Sequence, residues 1–146
     1  MVASPDYLKR NGTPTSIEEL LLHRTLLYRG PNGILHWQIL QHDTWKELTT
    51  TPTFISNDGL SLIRTAVKGH GIALLPKWGI AKELANNHLI GITIPETHIS
   101  VSRSINSSIY LLYLRPRYRI LKIKAVVDLL IAELTTQKEN TQNFVP

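Results

Sequence analysis

A chain of 146 residues, 42% hydrophobic and 18% charged, is long enough for one ordinary domain with a real core and lies well away from the composition of disordered polymers. The absence of cysteine excludes disulfides, thiolate catalysis, iron–sulfur clusters and cysteine-ligated zinc. Sixteen Lys and Arg against eleven Asp and Glu leave a net charge of +5, a balance compatible with nucleic acid, with small anions or with neither.

The start, Met1-Val2-Ala3-Ser4-Pro5-Asp6, lacks the basic-then-apolar run of a secretory signal, and no later stretch is long and uncharged enough to span a bilayer. A cytoplasmic protein without a membrane partner is expected. Ser4 as N-cap, Pro5 at the first helical position, Asp6 in the first turn and Gly12 as the stop predict a short helix. A second begins at Ser16, whose spacing to Glu19 is that of a capping box, with Ile17, Leu20 and Leu21 on its buried side and its end near His23.

Thr25 to Arg29 reads as a strand, Gly30-Pro31-Asn32-Gly33 as a tight turn and Ile34 to Leu40 as a second strand, whereas Gln41 to Pro52 gives no firm signal. Phe54-Ile55 ends a short strand, and Asp58 to Lys68 places Leu60, Ile63, Ala66 and Val67 on one helical face before Gly69 closes it. Ile72 to Leu75 is a continuous apolar run that suits a strand buried on both faces. A helix with Trp78, Ala81, Leu84 and Ala85 inward follows, then a strand from Leu89 to Ile94 and a polar crossover from Glu96 to Ser108. Ile109 to Leu114 alternates into a strand that Pro116 terminates; Ile120, Ile123, Val127, Leu130, Ile131 and Leu134 then follow helical spacing. Strands alternating with helices predict an α/β architecture with a largely parallel sheet.

Enzymatic constellations are missing from the pattern: no G-x-S-x-G elbow, H-E-x-x-H pair, phosphate loop or dinucleotide fingerprint occurs. His23, His36, His42, His70, His88 and His98 are scattered without i, i+4 pairing, so neither a metal nor any other cofactor is expected. The basic run Arg115, Arg117, Arg119, Lys122 and Lys124 reads as a phosphate-binding stripe or, more simply, as a solvated face at a strand-to-helix junction.

The informative stretch is Ser56-Asn57-Asp58-Gly59-Leu60, continued by Ala66-Val67-Lys68-Gly69-His70-Gly71-Ile72-Ala73-Leu74-Leu75-Pro76. Ser56 and Asn57 sit where a strand hands over to a helix, so unpaired amides of its first turn point to the sheet's carboxyl edge, where open α/β sheets bind ligands and a carboxylate is favoured. Ser56 or Asn57 could instead simply cap the helix. Gly69 and Gly71 read either as cap and strand start or as positions where a ligand approaches the backbone.

These motifs, with the opening V-A-S-P-D-Y-L-K-R-N-G-T-P, I-E-E-L, H-R-T-L-L and the closing S-I-Y-L-L-Y-L-R-P-R-Y, resemble the second regulatory subdomain of LysR-type transcriptional regulators over nearly the whole chain. The resemblance implies a Rossmann-like lobe of a type 2 periplasmic-binding-protein fold with an incomplete second lobe. Residues 1–94 would be regulatory subdomain II, with the hinge strand at 1–5, and 95–146 the crossover, strand and helix returning to an incomplete subdomain I. It places Ser4 at the hinge strand's end, Ser56, Asn57 and Asp58 at a cleft-facing helix start, Gly71 and Ile72 on a strand near the cleft, and Tyr28 and Arg29 as further contacts; Trp78 packs in the core. A small, anionic effector in the interlobe cleft, self-association, and DNA binding only through an N-terminal winged helix-turn-helix absent from this chain are the implied partners. An orphan fragment without independent activity, or a solute-binding protein or enzyme of the same fold, are the alternatives.

Overall fold

The computed structural model describes residues 1–41, 43–103 and 111–142 and falls into two compact units, Met1–Ile105 and Asn106–Pro146. The first opens with β1 (Val2–Ala3) and α1 (Pro5–Asn11). Ser4 Oγ accepts from Tyr7 N at 3.2 Å, and Gly12 ends the helix at φ 82°, as the sequence predicts. Ser16 likewise caps α2 (Ile17–Leu21) by accepting from Glu19 N. The Glu19 carboxylate reaches one residue beyond the usual capping box, accepting from Thr15 N at 2.7 Å and Thr15 Oγ1 at 2.8 Å. Leu20 is buried but Leu21 faces solvent, contrary to expectation, because so short a helix buries only one narrow face.

The strands β2 (Thr25–Gly30), β3 (Gly33–Ile34), β4 (Trp37–Gln41), β5 (Thr44–Leu48) and β6 (Pro52–Ser56) lead to α3 (Gly59–Val67). After it come β7 (Ile72–Ala73), α4 (Ala81–Ala85), β8 (Ile90–Gly91) and β9 (His98–Ser100). The main sheet has the order β3-β2-β7-β1-β8, with β6 on the other partner position of β2. Its pairings are mixed rather than largely parallel: β2 runs parallel to β6 and β7, while β1 lies antiparallel between β7 and β8. The strand–helix–strand crossover β6–α3–β7 returns the chain in the same direction, whereas the two short helices between β1 and β2 leave those strands running in opposite directions.

The expected second strand, 34–40, is divided. Ile34 stays with β2, whereas β4 pairs antiparallel with β5 and β9 in a separate three-stranded sheet. The stretch that carried no sequence signal thus forms a hairpin, Trp37 opposite Leu48 and Gln41 opposite Thr44, with Asp43 at φ 58° in its turn. β5 is an edge strand that buries Leu48 but leaves Thr44, Lys46 and Glu47 in solvent, so it shows little apolar alternation.

Period-two alternation divides the core into two layers. Ala3, Leu27 and Ile72 point toward Tyr7, Leu20, Trp37 and Leu48, under α1, α2 and the small sheet. Their neighbours Val2, Leu26 and Ala73 point the other way, toward Leu62, Ala66, Ile80 and Leu89. α3 presents Leu62 and Ala66 to this layer while Leu60 stands 62% exposed, so its inward face is rotated from the expected one. Trp78 is also corrected: it lies 62% exposed in a 3-10 turn at Lys77–Gly79, and Ile80 takes the core position instead. The break at Gly79 resets the helical phase, leaving Ala81 and Ala85 exposed.

In the second unit, the predicted strand 109–114 lies partly outside the described residues, and 111–114 carry no strand. A 3-10 turn, Arg115–Arg119, leads into α5 (Leu121–Gln142), which extends further than the apolar spacing suggests. Asp128 accepts from Tyr118 Oη at 2.6 Å and pairs with Lys124 one turn back; both interactions hold its carboxyl below the ordinary value.

Candidate functional site

Tyr28 and Ser56 are register partners at the carboxyl ends of the adjacent parallel strands β2 and β6. Arg29 follows Tyr28, and Asn57 and Asp58 follow Ser56 into α3. Five of the eight residues singled out from sequence therefore meet at one sheet edge. Ser56 is half-buried; Tyr28, Arg29, Asn57 and Asp58 are exposed.

The other three stand elsewhere. β1 runs antiparallel to β7 with Val2 opposite Ala73, so Ser4 comes level with Gly71, at the amino ends of β2 and β7. Gly71 is level with Arg24, four residue steps from Tyr28, roughly 13 Å at the usual strand rise. Ser4 and Ile72 are buried, and the close approach that Gly71 permits is to the chain itself: a Cβ there would lie 2.6 Å from the Arg24 carbonyl oxygen.

At the α3 tip the cap is Asp58, not Ser56 or Asn57. Its carboxylate accepts from Leu60 N at 3.2 Å, Ser61 N at 2.9 Å and Ser61 Oγ at 2.6 Å, while Ser56 Oγ accepts from Asp58 N at 3.0 Å. The Ser61 hydroxyl and the two amides hold the Asp58 carboxyl below its ordinary value. The first-turn amides expected to be open are thus partly satisfied by the chain. What remains facing outward is the Asn57 side chain and, across the strand ends, the Arg29 guanidinium, which has no ion pair among the described residues.

Two hollows in the first unit are lined by polar side chains. One, of about 360 Å³, is lined by Tyr7, Asn11, Glu19, His23 and Arg24 among others. Tyr7 Oη accepts from Arg24 N at 3.1 Å and shares a second hydrogen bond with His23 Nδ1, also at 3.1 Å. Burial holds His23 below its ordinary value, opposed by the nearby Glu19. The other, about 480 Å³, is lined by Arg24, Thr53, Phe54, Thr65, Lys68 and His70. Neither touches the Tyr28–Ser56 edge. The second gathers residues distant in sequence, so no spacing announces it. Among the described residues no group of three or more His, Asp or Glu could hold a metal ion, and no helix is long and apolar enough to cross a membrane.

The family model of the LysR substrate binding domain matches residues 1–135. The HTH-type transcriptional regulator CrgA of Neisseria meningitidis serogroup C is 29% identical over 136 residues, covering 92% of this chain and 43% of that protein. An HTH-type regulator of Haemophilus influenzae is 33% identical over 94 residues, 64% of this chain and 32% of its own length. This chain thus spans less than half of either. The solved structure of CrgA, a LysR-type transcriptional regulator, superposes with a TM-score of 0.69 at 26% identity over 91% of this chain and 43% of that one. The regulatory domain of AphB from Vibrio vulnificus does so with a TM-score of 0.55, also at 26% identity, over 67% and 49%. The chain belongs to the LysR substrate binding domain family: it is a LysR-type effector-binding domain with an α/β fold.

Proposed function

We propose that this domain senses a small anionic effector at the carboxyl edge of β2 and β6, and that ligand-induced closure of a second lobe over this edge changes the promoter contacts of a transcription regulator. The observation that carries the reading is the register pairing of Tyr28 with Ser56, which brings Arg29 and Asn57 to the same edge. Arg29 supplies the unpaired cation, and Asn57 and the Tyr28 and Ser56 hydroxyls supply hydrogen bonds; Ser56 keeps its own hydrogen free to donate because it accepts from Asp58 N. Asp58 holds the helix tip, and Ser4, Gly71 and Ile72 act through the strands they anchor.

In this reading residues 1–94 form one lobe, 95–146 return toward the other, and DNA is bound by a helix-turn-helix outside these 146 residues, as the HTH-type relatives suggest. The test is a thermal-shift screen of the full-length regulator against small carboxylates and their neutral amides, followed by calorimetry. Arg29→Gln with Asn57→Ala should weaken a carboxylate hit more than about ten-fold, some 1.4 kcal/mol, and unchanged affinity removes these residues from the site.

The isolated chain is proposed to self-associate, because α5 exposes Leu121, Val126, Leu129 and Ile131. Sedimentation of a clean monomer at all concentrations would refute this.

A further inference from the structure

The amino edge of the same three parallel strands carries a second cluster. Thr53 and Phe54 begin β6, Arg24 precedes β2 and His70 precedes β7, and the last turn of α3 brings Thr65 and Lys68 over them; together these six residues line the hollow of about 480 Å³. That volume is within the range of small-molecule sites, roughly 300–1,000 Å³.

Its charge is one-sided. Arg24 and Lys68 are exposed and no carboxylate lines the hollow. The side chains of Arg24, Lys68 and His70 have no hydrogen bond or ion pair among the described residues. Asp6, which approaches from beside Gly69, is already paired with Arg10 at 3.0 Å. The C-terminal end of α3 opposes an anion with about half a negative charge. Its last carbonyls, however, are occupied: Arg64 O accepts from Lys68 N, Ala66 O from Gly69 N and Thr65 O from His70 N. Two full positive charges outweigh that half charge. Phe54, the register partner of Leu26, is 36% exposed and supplies an apolar wall beside the cations.

We infer that this hollow is a second binding site, separate from the Tyr28–Ser56 edge, for a small organic anion with a flat apolar body. The anionic group lies between Arg24 and Lys68 and the flat body rests on the Phe54 ring. The site is complete within Met1–Ile105 and needs no second lobe, so it stands or falls independently of the effector reading above.

Phenyl phosphate is the probe, titrated into the nitrogen-15-labelled 146-residue chain at low salt, with inorganic phosphate and phenol as comparators. Saturable amide shifts are expected around Arg24, Thr53 to Ile55 and Thr65 to Ile72, with a Kd of about 1 mM or tighter. Arg24→Gln with Lys68→Gln should weaken binding at least about ten-fold, a change equivalent to the loss of the two charge-assisted contacts to the anion. Phe54→Leu should weaken phenyl phosphate while leaving inorganic phosphate unchanged, and Lys46→Gln, on the exposed edge strand β5, should leave both unchanged. The altered side chains are exposed, and the dispersion of the unliganded spectrum reports that each variant is folded. The proposal is overturned by no saturable shift at about 10 mM, ten times the expected Kd, by equal affinity in the double variant, or by shifts that map instead to Tyr28 and Ser56.

Discussion

Replacing Leu62 by alanine removes a side chain that is 1% exposed and packs with Leu26, Ala66 and Ile80 in the layer beneath α3. Three buried carbon groups at about 0.8 kcal/mol each amount to about 2.4 kcal/mol of transfer free energy. The cavity left behind raises the expected loss to about 3–4 kcal/mol. Leu60, two residues earlier on the same helix, is 62% exposed, and Leu60→Ala should change stability by no more than about 0.5 kcal/mol. A unit of this size has a total stability of about 5–15 kcal/mol, so both variants should remain folded in buffer. In urea, with a slope of about 1–1.5 kcal/mol per molar, Leu62→Ala should lower the midpoint by about 2–4 M and Leu60→Ala by less than about 0.5 M. Equal shifts, or a larger one for Leu60, would refute the phase assigned to α3, and with it the route from β6 into the helix.

Ser4→Ala removes a buried cap and leaves Tyr7 N without its acceptor; a loss of about 1 kcal/mol by urea denaturation is expected. Gly71→Ala should cost about 2 kcal/mol because its Cβ meets the Arg24 carbonyl, whereas Gly91→Ala, with nothing within 4 Å, should be neutral. Burial lowers the His23 pKa from its ordinary 6.5, so on acidification the unfolded chain takes up a proton before the folded chain does. The associated stability is complete above that value and falls as pH drops toward the folded pKa. His23→Gln should therefore lessen the fall in Tm between about pH 7.5 and 5.5, and identical pH profiles would exclude His23 as the cause.

Local chemistry determined much of this domain. Ser4, Pro5 and Gly12 bound α1 because a cap, a fixed φ and a positive φ act over a few residues. The Ser56 to Pro76 stretch reads as strand, helix and strand because a turn signal separates two changes of period. Motifs of the same stretch carried the family resemblance. Strand partnership was decided elsewhere. Whether 41–52 is a loop or a hairpin depends on β9, some fifty residues away, pairing with β4. Which residues of α3 face inward depends on where Asp58 starts the helix against the sheet, and that choice buries Leu62 rather than Leu60. The same separation of scales divides the eight candidate residues. Their order in sequence is silent on direction, but β1 enters the sheet antiparallel, so Ser4 goes to one edge while the parallel pairing of β2 and β6 brings Tyr28 and Ser56 together at the other. Caps and periods are fixed by neighbours in the chain; edges and hollows are fixed by contacts across the sheet, which only the folded chain supplies.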